Sequence, residues 1–118
     1  MEAALDLARE TGAPDDIATQ AAWRGVAAMA ASDDGRMEEA ERLVAEAVEM
    51  VEPTDFLELR AGAFEALAHV EARAGRTNGW KTALERAQAE REGKGNLVMA
   101  ARIRDQLAAG PPQPVARG

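Results

Sequence analysis

Hydrophobic positions along this chain recur at intervals of three and four, and that spacing divides it into helices. The clearest stretch is residues 37–51, where Ala40, Leu43, Val44, Ala47, Val48 and Val51 make one stripe. Glu38, Glu39, Glu41, Glu46 and Glu49 lie mostly around the rest of the circumference, so one side packs and the other is wet. A preceding helix is predicted from Ile17 to about Ala31, apolar at Ala21, Ala22, Val26 and Met29, with Asp15 or Asp16 as its N-cap. After Pro53, Asp55-Phe56-Leu57-Glu58 reads as a capping box opening a third helix, whose stripe is Leu59, Ala63, Phe64, Leu67, Ala68 and Val70. A fourth, capped by Thr77 or Asn78, packs through Trp80, Ala83, Leu84 and Ala87 and exposes Lys81, Glu85, Arg86 and Glu90. Gly93-Lys94-Gly95-Asn96 then interrupts, and a fifth helix over 97–109 carries Met99, Ile103 and Leu107 four residues apart. A short helix over residues 2–11, stopped by Gly12 and Pro14, precedes all of these.

The breaks are as informative as the stripes. Gly35-Arg36 and Gly75-Arg76 lie 40 residues apart, and each separates an alanine-rich helical pattern from a second one. Glycine at such a position takes the positive φ that ends a helix. A period in this range marks a helical repeat array, in which each helix pair covers the apolar face its neighbour leaves open. The expected fold is therefore all-α: antiparallel helix-turn-helix repeats of five or six helices over residues 1–109, with the last helix capping the stack. Residues 110–118 contain three prolines and no periodicity, which predicts an extended, mobile tail.

Composition narrows this further. A chain of 118 residues fits one domain. Apolar residues are 47% of it but aromatics only 3%, so its helices must approach closely through small side chains. There is no cysteine for a disulfide or a thiolate metal site. The acidic, amphipathic start does not resemble a secretory leader, and charges recur too often for a membrane span, so a cytoplasmic location is expected. The net charge of −7 is unevenly spread. Residues 1–59 hold 15 acidic and 4 basic side chains (net −11), against 6 and 10 in residues 60–118 (net +4). Such a field argues against nucleic acid or an anionic membrane at the first half and favours contact between unlike halves of two copies.

Candidate chemistry is sparse. His69 is the one histidine, with Glu65 a turn before it and Arg73 a turn after, and no nucleophile can be assigned to it from the sequence. Asp15-Asp16 and Asp33-Asp34 lack the alternating ligands and terminal glutamate of a calcium loop, and they read as capping and turn residues. Gly93-Lys94-Gly95 lacks the spacing and hydroxyl of a phosphate-binding loop. Trp23 and Trp80 fall near apolar stripes and read as packing residues. Pro111 and Pro114 form a minimal PxxP, as proline-rich linkers often do. Neither an enzyme, a cofactor nor a metal is expected.

The first break carries a resemblance. Gly35 has Ala28 seven residues before it and Ala40 and Ala47 five and twelve after it, an arrangement that resembles the tetratricopeptide repeat. The same offsets from Gly75 give Ala68 and Ala87, but Trp80 stands where that family has alanine. The 40-residue spacing also exceeds the usual repeat of about 34. Ala18 to Ala28, Thr54 to Glu58 and Lys94 to Arg102 are similar to the C-terminal helical part of large bacterial regulators that carry ATPase or nucleotide-cyclase parts.

What the resemblance implies is a non-catalytic module that binds a peptide or a helix in the concave groove lined by the first helix of each pair. Carried over position by position, the groove comprises Ala22, Gly25, Met29, Ser32 and Asp33, then Gly62, Glu65, His69, Ala72 and Arg73. Met29, Ser32, Asp33, Glu65, His69 and Arg73 form the candidate site, and the expected partner is a protein or peptide, or another copy of the chain. The family's chaperone-binding members hold a peptide carboxylate with a lysine and an asparagine where this chain has Gly25 or Glu65 and Met29 or His69, so that ligand is not implied. The alternative is a structural or regulatory C-terminal segment of a larger signalling ATPase, nucleotide cyclase or transcriptional regulator.

Overall fold

The computed structural model describes residues 14–115, with side-chain environments from Ile17 onward. Five helices follow one another: α1 (Pro14–Asp33), α2 (Met37–Val51), α3 (Leu57–Arg73), α4 (Thr77–Lys94) and α5 (Leu97–Ala109). No strand occurs among the described residues, and the fold is all-α. The helix expected over residues 2–11 lies outside the described residues. Helices α2 and α5 begin and end where the sequence pattern places them, whereas α1 starts earlier, at Pro14, a residue suited to a first helical turn.

Helix α1 packs against α2 and α3, α3 packs against α2 and α4, and α5 packs on α4. With an extent of 42 × 41 × 19 Å, the Cα trace is a slab about two helices thick. Alanine makes this arrangement possible. Ala28, Ala31, Ala40 and Ala66 join Leu43, Val44 and Val70 where α1, α2 and α3 meet. Ala68, Ala72, Ala83 and Ala87 surround Phe64, Trp80, Leu84 and Ile103 at the other end. Trp80, which replaces the alanine of the first pair, is buried in this second cluster, where it links α3 and α4 to Ile103 of α5. Helix α3 is central, so its buried residues include Ala61, Ala66 and Ala72 beyond the expected stripe.

The two Gly-Arg breaks are the same structure. In each, glycine has a φ near +80° (82° at Gly35, 81° at Gly75). The arginine N–H donates to a carbonyl five residues back: Arg36 to Ala31 at 2.9 Å and Arg76 to Glu71 at 2.8 Å. This double-bonded ending satisfies carbonyls that a helix terminus would otherwise leave free. The α2–α3 joint is built differently. Arg60 donates to the carbonyls of Glu52 (2.5 Å) and Thr54 (3.2 Å) and forms a two-pronged ion pair with Glu90 of α4 (3.1 and 3.2 Å).

Several sequence expectations need correction. The Asp55–Glu58 capping box does not form, because Phe56 stands at the N-cap with no side-chain cap bond. Thr54 Oγ1 instead donates to Val51 O and accepts from Phe56 N, while Glu58 is drawn away to Arg91 and Asn96. Neither Thr77 nor Asn78 caps α4, whose N-cap is Arg76. On α1, Val26 is 64% exposed and Ala22 is also exposed, whereas Gln20, Arg24 and Ser32 are buried. Arg24 is accommodated by an ion pair to Glu46 of α2 at 2.9 Å and by Gln20, with its guanidinium 5.8 Å from the Trp23 ring centroid. Glu90, expected in solvent, is mostly covered by its pairing with Arg60.

Candidate functional site

Helices α1 and α3 lie side by side, and their C-terminal ends bring three of the candidate residues together. Asp33 closes α1, while His69 and Arg73 lie one turn apart on α3. Asp33 Oδ1 is 2.8 Å from His69 Nε2 and 3.0 Å from Arg73 Nε. Arg73 Nε is buried and its N–H is not aligned with that carboxylate, so the attraction is ionic without a directed hydrogen bond. Arg73 Nη1 donates to the carbonyl of Gln113, 2.9 Å away. All three side chains stay partly exposed, at 49% for Asp33, 31% for His69 and 25% for Arg73. The cluster therefore has charge, hydrogen-bonding capacity and solvent access.

The other candidates divide. Ser32 is fully buried and donates to Met29 O at 2.8 Å, a bond back into its own helix. It does not face the groove, which corrects the expectation carried over from the resemblance. Ala72, another carried-over groove position, is buried in the core. Glu65 remains half-buried but is engaged by Arg91 of α4 at 2.5 Å. Arg91 also pairs with Glu58; burial would lower the pKa of its guanidinium, but these two carboxylates raise it above its usual value. Met29 lies between two depressions and lines both.

The first depression, about 300 Å³, runs between α1 and α3, where Gly25 and Gly62 remove side chains from its wall and Val26 and Leu59 supply apolar surface. The second, about 490 Å³, lies between α3 and α5 beneath the C-terminal segment. Met29, Ala68, Trp80, Leu84 and Pro112 supply its apolar surface, and Glu65, His69 and Gln106 its polar edge. Trp80 is the contribution that sequence reasoning missed. It packs in the core, as its place on the apolar stripe predicts, and it also lines this cleft.

His69 thus has a carboxylate partner, as a catalytic imidazole does, and among the described residues Asp33 is the side chain bonded to it. The hydroxyl adjoining its partner Asp33, that of Ser32, is turned back into α1. Among the described residues, no group of three or more His, Asp or Glu side chains is placed to hold a metal ion, and no helix is long and apolar enough to cross a membrane. The arrangement suits recognition, with a cation for a carbonyl or carboxylate, an imidazole–carboxylate pair, and an apolar cleft alongside. Comparison with protein families, curated proteins and solved structures finds no match to this chain.

Proposed function

We propose that the chain is a non-catalytic interaction module of the tetratricopeptide-like kind, which holds a segment of a partner protein along the face formed by α1 and α3. The observation that supports this reading is the convergence of Asp33, His69 and Arg73 from two helices on one solvent-accessible rim beside an apolar cleft. Binding energy at such a surface comes from a few anchors in desolvated pockets, with charged groups at the rim fixing orientation. Arg73 supplies the orienting cation and the Trp80–Leu84 cleft the anchor pocket. Affinity capture with the wild-type chain and with Arg73→Glu and Arg104→Glu tests it, since Arg104 is a well-exposed cation on α5. The expected result is a partner lost from Arg73→Glu and kept by Arg104→Glu, both variants retaining helical circular dichroism. Equal capture by the two variants would remove the groove from the binding surface.

The alternative reading, a structural segment of a larger regulator, draws on one observation. Apolar side chains are exposed at both ends of the helix series, with Val26 at 64% on α1 and Leu97 and Val98 at 69% and 73% on α5. A repeat array that continues into further helices would cover such residues. Self-association in light scattering that disappears with Val98→Glu is the outcome this reading expects.

A further inference from the structure

The C-terminal segment does not leave the molecule at the end of α5. Gly110 has φ 93° and ψ 167°, a conformation that L side chains rarely adopt, and beyond it the chain is non-helical and lies across the ends of α3 and α1. Pro112 enters the cleft beside His69 and Trp80. Gln113 O accepts from Arg73 Nη1 at 2.9 Å, and Val115 N–H donates to Arg73 O at 2.8 Å. Pro114 and Val115 then cover the two break glycines. A Cβ added at Gly75 would lie 3.8 Å from Pro114 Cγ, and one added at Gly35 would lie 3.7 Å from Val115 Cγ1.

From these contacts we infer that residues 110–115 are a built-in occupant of the Asp33–His69–Arg73 site, and that the site's ligand in trans is an extended, proline-containing peptide that competes with them. This deepens the groove-binding reading above and rests on it. Both hydrogen bonds to the segment read main-chain atoms, a carbonyl at one residue and an N–H two residues later. On an extended strand, positions two apart face the same side, so one residue, Arg73, can hold both. Between them sits Pro114, whose lack of an N–H costs nothing there, and prolines bind with little loss of conformational freedom. A helical ligand has no free N–H and carbonyl in that relation, so extended chain is selected. Pro114 and Val115 thus lie within ordinary van der Waals reach of the two break glycines.

Gln113 is only four residues beyond the end of α5, so the segment is presented to the site at an effective concentration in the millimolar range. A peptide in trans that binds the open site at about 0.1 mM should then bind the intact chain about tenfold more weakly.

The test uses an acetylated peptide of residues 109–118, the full chain, a chain ending at Ala109, and the full chain carrying Val115→Pro. That last variant keeps the length and removes the N–H that Arg73 O accepts. Amide spectra should show Gly35, Arg73, Gly75 and the Trp80 indole shifting on deletion and returning when the peptide is added. The peptide should bind the shortened chain and Val115→Pro about tenfold more tightly than the wild-type chain. Unchanged Gly35, Arg73 and Gly75 signals on deletion, or equal peptide affinity for all three chains, would overturn the inference and leave the groove reading standing. Peptide binding to none of them, together with protein capture indifferent to Arg73→Glu, would sink both.

Discussion

Arg24 shows what a single side chain has to negotiate in a helical slab this thin. It is 5% exposed, and its charge is met by Glu46 across the α1–α2 contact and by Gln20 on its own helix. Burial alone would raise the pKa of Glu46, but hydrogen bonds and charge from Arg24 and Arg42 outweigh it, so the pKa falls below the usual 4.5. A carboxylate depressed in this way contributes stability that is fully present above its unfolded value and is lost as pH falls through its folded one. Denaturant midpoints should therefore drop as the pH is lowered below about 4.5, and Glu46→Gln should flatten that part of the profile. At neutral pH the same substitution leaves a buried guanidinium with only neutral acceptors, at a cost of about 1–2 kcal/mol measurable by urea unfolding. The sequence gives no sign of this pair. Glu46 reads as one of five wet glutamates on α2, and Arg24 sits among apolar neighbours, because which faces meet across two helices is not written in either helix alone.

At the scale of the element, glycine separates two roles that look identical in the sequence. Gly75 is held at positive φ, so Gly75→Ala should cost about 1–2 kcal/mol through left-handed strain. Gly62 lies within α3, with nothing inside 4 Å of an added Cβ. There Gly62→Ala should raise stability by about 0.5–1 kcal/mol, since alanine fits the helix and restricts the unfolded chain. Thermal midpoints moving in opposite directions would establish both points, and a Gly75→Ala midpoint at or above wild type would contradict the strain argument. Helix stops were legible because a glycine ending is local chemistry. The side-chain caps expected for α3 and α4 were not legible in the same way, since neither helix has a side-chain bond at its N-cap. Glu58 in particular was captured by Arg91, a residue 33 positions away.

Over the whole molecule, the all-α fold and its two Gly-Arg turns were legible, and what fills the space between the helices was not. The two Gly-Arg turns and the alanines around the first predict paired helices, and paired helices form. The sequence also brings Asp33, His69 and Arg73 into one candidate set, and the structure brings those three within contact, while it turns Ser32 inward and commits Glu65 to Arg91. Trp80 as cleft floor and the C-terminal segment as cleft cover escaped detection for the same physical reason. Both depend on the space left between α3 and α5, which no periodicity encodes.

That space also bears on how the molecule loosens. Among the described helices α5 packs against α4 alone, and the chain is tied to α3 only at the two ends of α5, by Asn96 to Glu58 before it and by the segment that follows it. Local opening begins where few buried contacts must be broken. Helix α5 and the segment after it should therefore behave as one cooperative unit of low protection, exchanging amide hydrogens well before α3. Lifting the segment away with a competing peptide would then accelerate exchange along all of α5, so that an event at the end of α3 would be felt in the backbone of a helix it does not touch.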